Sequence, residues 1–268
     1  MIVGFVHPGA MGASLAASCS GRMVWCGAGR STATRERAAA AGIEDLGSLA
    51  ELATTADVIV SVCPPGSAVD VADEVRAAGF AGIYVDVNAI APASARRIGE
   101  RFDRFVDGGV VGPPVEAAGT TRLYLSGAAA ADVASLWEGS ALEVRLVEGG
   151  PGAASAVKAC FAAWTKGTAA LLLAIRALAR AEAVEPALLA EWATSLPALA
   201  AQSERTARAN APKAWRFAGE MDEIAAAFAA HDLPVGFSHA AAELYERLAG
   251  YKDREDVTLD EVLAQLTR

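Results

Sequence analysis

The first three dozen residues constrain this chain more than any other stretch. Ile2-Val3-Gly4-Phe5-Val6 is a short apolar run without helical spacing, the pattern of a strand buried on both faces. His7-Pro8-Gly9-Ala10-Met11-Gly12 breaks it, Ala13 to Ser20 is small, apolar and helix-competent, and Met23 to Cys26 reads as a second strand. Strand, glycine turn, helix and strand in that order make the first half of a dinucleotide-binding βαβ unit. Its turn lets backbone approach a pyrophosphate, and its helix start offers free N–H groups to the negative charge. In G-x-G-x-x-G register the three positions are His7, Gly9 and Gly12, so the first glycine is missing. Gly9, Ala10, Met11 and Gly12 are the expected cofactor contacts. An ordinary βαβ turn is the competing reading.

After Cys26 come Gly27-Ala28-Gly29-Arg30-Ser31-Thr32, with Arg35 and Arg37 at the head of a new helix. An NAD site usually ends its second strand with an acidic side chain that holds the ribose diol. None stands there. Arg30, Ser31, Thr32 and Arg35 instead offer cations and hydroxyl donors to a phosphate, so NADP(H) is expected in preference to NAD(H). A solvated loop and an exposed helix would read the same way.

Asp57 to Val62 is the clearest buried strand and ends at Cys63-Pro64-Pro65-Gly66. A strand stopped by prolines marks the carboxyl edge of a sheet, where doubly wound folds bind ligands, so Cys63, Pro64 and Pro65 join the cofactor candidates. A helix over Ala68 to Ala78 leads to a strand from Gly82 to Asn88 and a second edge loop. Asn88 there contacts cofactor or substrate, or caps the next helix. Arg104 to Asp107 opens another strand, and the glycines and prolines from Gly108 to Pro114 imply close approach to a ligand or a neighbouring loop. Strands at Leu123 to Gly127 and Leu142 to Val147 complete a mostly parallel α/β sheet.

At Gly149-Gly150-Pro151-Gly152 strand signals cease. Helices are expected over Ala153 to Ala183, Pro186 to Gln202, Glu220 to Ala230, Gly236 to Leu248 and Thr258 to Leu266. The expected division is therefore a dinucleotide-binding domain over 1–150 and an all-helical domain over 151–268. Lys158, early in the first of these helices, has small apolar neighbours, and Ser155, Ala162 and Thr165 share its face. A lysine at an apolar interface can lose its proton near neutrality and serve a carbonyl oxygen as general acid. The bland alternative is a lysine snorkelling from a half-buried helix.

A net charge of −9 argues against nucleic acid and against an anionic membrane surface as partners. The four cysteines form no C-x-x-C pair and no zinc spacing, so free thiols in a reducing cytoplasm are expected, with no metal. Lys166 and Arg176 interrupt the longest apolar helix, and no signal peptide is read in the opening run.

Taken together, the chain resembles the β-hydroxyacid dehydrogenase family of 3-hydroxyisobutyrate and 6-phosphogluconate dehydrogenases, in the branch with a DUF1932-type C-terminal domain. Gly4 to Gly12 resembles its opening G-F-I-G-L-G-x-M-G, Val62 to Pro65 its proline loop, and Asp86 to Pro92 its D-x-S-T-x-x-P segment. Gly149 to Lys158 resembles the glycine-rich approach to its catalytic lysine. The resemblance implies a Rossmann-type domain followed by an all-α domain, and hydride transfer between a nicotinamide and a small carbonyl or hydroxy substrate in an interdomain cleft. It further implies Lys158 as acid/base, Gly112 and Pro113 beside the substrate, and a homodimer through the helical domain. Three positions depart from the family. Val111 stands for the carboxylate-binding serine, Ala162 for the asparagine after the lysine, and Gly219-Glu220 for a later lysine–aspartate pair. An imine reductase using Glu220, Asp222, His231 or His239 is the nearest alternative, and a non-catalytic NADP sensor a more distant one.

Overall fold

The computed structural model describes residues 1–268. β1 (Ile2–Val6) forms over the opening apolar run and lies inside an eight-stranded sheet of order β3-β2-β1-β4-β5-β6-β7-β8. Its parallel neighbours are β2 (Arg22–Trp25) and β4 (Val58–Ser61). The sheet is completed by β3 (Glu44–Asp45), β5 (Ile83–Asp86), β6 (Phe105–Val111), β7 (Arg122–Ser126) and β8 (Glu143–Leu146). Every pairing is parallel except β6 with β7. Every residue of β4, β5 and β6 is buried, which is why β4 and β5 read as apolar runs rather than alternating ones.

Six helices cover the sheet: α1 (Ala10–Ala17), α2 (Thr32–Ala40), α3 (Leu49–Thr55), α4 (Ala68–Ala77), α5 (Pro92–Gly99) and α6 (Ala130–Ala134). α1, α2 and α6 close one face over Phe5, Val60, Val85 and Leu123. α3, α4 and α5 close the other over Ile59, Tyr84 and Phe105. Trp137, 1% exposed, locks the first layer by donating its indole N–H to the Leu15 carbonyl at 2.9 Å. Chain order reverses between β1 and β4, the switch point at which such sheets open a crevice.

Two expectations for this sheet need correction. The first helix starts at Ala10 rather than Ala13, because extended Gly9 caps it directly after Pro8. β6 runs through to Val111, so Gly108 to Val111 are strand and not loop. There the glycines leave backbone free for antiparallel pairing, Gly108 with Leu125 and Gly109 with Tyr124.

Contacts divide the chain into Met1–Ala159 and Cys160–Arg268, a break inside the long helix α7 (Ala153–Ala181). The second unit holds the later turns of α7 with α8 (Glu185–Ser195), α9 (Leu199–Asn210), α10 (Ala214–Ala229), α11 (Gly236–Arg247) and α12 (Leu259–Leu266). The single helix expected over Pro186 to Gln202 is two helices, since Pro197 forces Leu196 out of helical geometry. The third begins at Ala214, not Glu220. Thr258 and Glu261 cap α12 reciprocally.

Within this unit buried polar groups are matched. Tyr245, fully buried, donates to the Lys166 carbonyl at 2.8 Å. Arg176 donates to Ser203 at 2.6 Å and to Glu185 at 2.6 Å. By length and apolarity one window of α7 could cross a bilayer, which corrects the expectation that Lys166 and Arg176 break the helix too early for a span; 39% of that window is buried within the molecule. Trp164, Leu171 and Leu178 follow a helical stripe along it and stay exposed.

Candidate active site

The carboxyl ends of β1 and β4 meet at the switch point. His7, standing where the fingerprint has its first glycine, adopts the left-handed conformation at φ 63°. That backbone state costs an L-residue roughly 1–2 kcal/mol, so the turn imposes its geometry on a side chain that dislikes it. Gly12 packs closely within the chain itself, since a methyl there would lie 3.3 Å from the His7 carbonyl, a tight contact, and 3.4 Å from Val62. Gly9 is not: an added methyl would meet nothing nearer than 4.0 Å. Its smallness leaves backbone open to the outside of the turn. α1 has no side-chain cap and no acid in its first turn, so its leading N–H groups face outward with their positive end of the dipole.

Two buried nitrogens near this turn lack partners, His7 Nδ1 and Arg30 Nε. Burial, and then the Arg30 charge, hold the imidazole down to about 4, so His7 is neutral at physiological pH. Open turn, uncapped helix start and the orphaned Arg30 Nε–H fit a dinucleotide's diphosphate. Gly9, Ala10, Met11 and Gly12 would hold it there, with Arg30 beside them.

The other predicted phosphate ligands separate. Ser31 caps α2, its hydroxyl accepting the Thr34 N–H at 3.3 Å, and Thr32 begins that helix. Arg35 turns toward Asp45 on β3, pairing at 3.3 Å, and also donates to the Gly27 carbonyl. Sequence reasoning missed Asp45, an acid that lies beside the end of β2 although β2 does not carry it.

Asn88 is 2% exposed and wholly engaged by the chain. Its side chain accepts the Cys63 N–H at 2.6 Å and donates to Ser61 at 3.1 Å and Asp86 at 2.8 Å. It ties the ends of β4 and β5 together, and it does not cap α5, whose N-cap is Ala91. Asn88 thus shapes the edge from beneath and anchors the Cys63-Pro64-Pro65 loop. Burial pushes the Cys63 thiol up to about 12, so it stays protonated.

Lys158 is positioned by a polar knot that the sequence reading did not identify. Asp107 on β6 and Ser126 on β7 are cross-strand partners, and both are 0% exposed. The Asp107 carboxylate accepts the Gly152 N–H at 3.0 Å, the Ser155 N–H at 2.9 Å, the Ser155 hydroxyl at 2.5 Å and the Ser126 hydroxyl at 3.1 Å. Ser126 in turn accepts the Ala154 N–H at 3.1 Å. The sheet therefore caps the start of α7 with its own side chains, satisfying amides that have no helical partner. Burial still raises the Asp107 carboxyl, against the pull of its four donors.

From this anchorage the helix passes over Gly109. A methyl there would lie 2.9 Å from Lys158 Cβ and 3.0 Å from the Ala154 carbonyl. Gly109 thus serves the close approach of α7, while a methyl on Gly108 would meet the Asp86 carbonyl, Leu125 and Val87 of the sheet. Gly112 is fixed by its own backbone too, with φ 125° and the Thr120 carbonyl 2.3 Å from any added methyl. Pro113, next to it, accepts the Thr121 hydroxyl at 2.7 Å.

Of the four groups considered as alternatives to Lys158, one is paired in the interior and three lie on the surface. Glu220 pairs with Lys166 in a largely buried contact. Lys166 lies 4.6 Å from the Phe217 ring centroid, and burial lowers its ammonium while Glu220 raises it. Asp222 and His239 face each other at 3.9 Å on the exposed surface, and His231 is exposed as well.

Comparison with known proteins decides the family. Residues 2–138 match the NAD binding domain of 6-phosphogluconate dehydrogenase, and residues 179–248 match a domain of unknown function, DUF1932. The chain belongs to this dehydrogenase family. An uncharacterized 28.5 kDa protein of Methanothermus fervidus is 30% identical over 156 residues, 58% of this chain and 60% of that protein. The conserved protein MTH1747, of unknown function and described as structurally similar to 3-hydroxyacid dehydrogenases, superposes with a TM-score of 0.71. It is 26% identical, and the match covers 99% of each chain. The 3-hydroxyisobutyrate dehydrogenase of Mycobacterium tuberculosis, solved with L-serine, has a TM-score of 0.70 at 20% identity. That match covers 100% of this chain and 99% of the other, and shows the same fold. The family match shows a nicotinamide-dinucleotide-binding domain, and the structural likenesses show the fold.

Proposed function

We propose that this protein is an NADP(H)-dependent oxidoreductase acting on a small carbonyl or hydroxy compound, with Lys158 as general acid and base. The bound nicotinamide supplies the hydride chemistry. The chain's part is to bind, orient and move one proton. Gly9 to Gly12 and the start of α1 receive the diphosphate with Arg30 beside them, and Arg35, held at the end of β2, favours a 2′-phosphate at the far end. Lys158 Nζ gives a proton to the substrate oxygen during reduction and takes it back in the reverse direction. Gly112 and Pro113 border the place where that substrate lies.

The observation that carries this reading is the seating of Lys158. A buried aspartate and two buried serines hold the first turn of α7 against β6, and a glycine beneath lets the lysine's Cβ and the Ala154 carbonyl come close to the strand. A lysine on a merely solvated helix needs no such anchorage.

Two further parts of the proposal concern assembly and place. Trp164, Leu171 and Leu178 form an exposed apolar stripe, which in this reading packs on a second copy of the chain in a homodimer. The protein works in the cytoplasm, where its free thiols stay reduced. The test is Lys158→Ala. Coenzyme affinity should stay within about twofold while turnover on a responsive substrate falls by roughly two orders of magnitude or more. Unchanged turnover would remove Lys158 from the chemistry.

A further inference from the structure

α9 turns a polar face toward α7. Gln202, Arg205, Thr206, Ala209 and Asn210 recur at i, i+3, i+4, i+7 and i+8, the spacing of one helix stripe. A stripe that faces another helix is normally apolar. This one, with Thr165, Thr168 and Ala169 of α7, lines a cavity of about 250 Å³ that lies wholly within the unit Cys160–Arg268.

Buried polar ties pin both ends of the cavity. At one end Arg176 of α7 donates to Ser203 of α9 at 2.6 Å. At the other, Tyr245 donates to the Lys166 carbonyl at 2.8 Å and accepts from the Asn210 amide at 3.5 Å. Residue numbers climb along α7 as they fall along α9, so the two helices run antiparallel past the hollow. Ala169 and Ala209 are the small side chains that keep it open.

The polar groups on its two walls differ in kind. Thr165 gives its hydroxyl proton to the Phe161 carbonyl at 3.0 Å, and Thr168 gives its own to the Trp164 carbonyl at 2.6 Å. Each oxygen is left with lone pairs for an incoming donor. On α9 the balance is reversed. The side chains of Gln202, Arg205 and Thr206 make no hydrogen bond or ion pair within the chain. A guanidinium, a carboxamide and a hydroxyl proton therefore stay available on that wall.

We infer that this cavity binds a small zwitterion carrying a carboxylate and an ammonium group, the chemistry of a free amino acid. The carboxylate goes to α9, where Arg205 supplies a charge and a planar fork, with Gln202 and Thr206 as further donors. The ammonium goes to α7, where the threonine oxygens accept from it. A bare anion would use one wall only. Pockets for drug-sized ligands run to roughly 300–1,000 Å³, and this smaller one suits a molecule of amino-acid size. None of its residues belongs to the proposed coenzyme or Lys158 machinery, so the inference stands apart from the dehydrogenase reading.

The test is calorimetric titration of the full-length protein, without coenzyme, with each common amino acid and with acetate and ethylamine separately. Wild type, Lys158→Ala, Arg205→Gln, Thr165→Val and Ala209→Phe are compared, with thermal unfolding as a check on each fold. At least one amino acid should bind saturably to one site per chain, more tightly than acetate or ethylamine. Lys158→Ala should leave that affinity within about twofold. Arg205→Gln and Thr165→Val should each weaken it by about tenfold, the loss of a hydrogen bond to a charged group. Ala209→Phe should abolish it by filling the hollow. Arg205, Thr165 and Ala209 are exposed, so unfolding temperatures should stay near wild type. The inference is overturned if no amino acid binds, if acetate binds as tightly as the best of them, or if Arg205→Gln and Ala209→Phe change nothing. Binding lost in Lys158→Ala but kept in those two variants would overturn it while favouring the proposed active site.

Discussion

Replacing Asp107 with alanine should unfasten the start of α7. In the native protein the carboxylate accepts two backbone amides, Gly152 and Ser155, and two hydroxyls, Ser126 and Ser155, all within 2.5–3.1 Å. The first backbone bond closed by the helix itself runs from the Ala156 N–H to Gly152, so the two amides have no other acceptor. The hydroxyls can rotate toward other partners, but the amides cannot. At about 1–3 kcal/mol for each buried donor left unpaired, the amides alone cost about 2–6 kcal/mol. Removing a buried charge returns part of that. The net loss should be about 3 kcal/mol, lowering the urea midpoint by about 1 M for a slope near 3 kcal/mol/M. Asp107→Asn keeps one acceptor oxygen and should lose about half as much. Turnover should fall in both variants, with coenzyme affinity close to wild type, because Lys158 rides on the loosened turn. There is also a pH signature. Burial raises the Asp107 carboxyl, so the folded chain keeps this proton where the unfolded chain has lost it. Its contribution is complete below the ordinary aspartate value and is lost as pH rises through the folded one, a slope that Asp107→Ala lacks. An alanine variant within 1 kcal/mol of wild type would refute the capping argument.

Two further substitutions probe the rest of the molecule. His7→Gly removes both a left-handed side chain and a depressed imidazole; the relieved strain of about 1 kcal/mol is offset by the looser unfolded chain of glycine, leaving stability at pH 7.5 nearly unchanged. Wild type should lose stability as pH falls from the ordinary imidazole value toward about 4, since the unfolded chain takes up a proton that the folded one refuses, while the variant should fall less over that window in chemical denaturation. In the helical unit, Glu220→Ala strands the Lys166 ammonium in surroundings where its side chain is only 12% exposed, and should cost about 3 kcal/mol in urea unfolding. Replacing both partners with methionine should recover most of that loss.

The parts of the fold that could be read directly are those built from neighbours in sequence. β1, β4 and β5 announce themselves because both faces are buried, and Gly9 and Gly12 because a tight turn leaves few substitutes. Long-range features were hidden. Asp107 meets Ser126 only because β6 and β7 run antiparallel, and Ser155 lies 48 residues beyond it. Nothing in either local sequence distinguishes that acid from a solvated one. Asp45 was missed for a related reason, because a two-residue strand of exposed acids has no apolar pattern to betray it. Asn88 was legible as an edge residue, yet its choice between ligand and scaffold turned on Cys63 and Ser61, which come from another strand.

The most direct measurement is a titration of NADP⁺ into the intact wild-type protein, followed by calorimetry. Gly9, the uncapped start of α1 and the orphaned nitrogens of His7 and Arg30 all suit one saturable site per chain, and the proposed function predicts that NADP⁺ is held more tightly than NAD⁺. Heats indistinguishable from dilution for both nucleotides would contradict the account at its root.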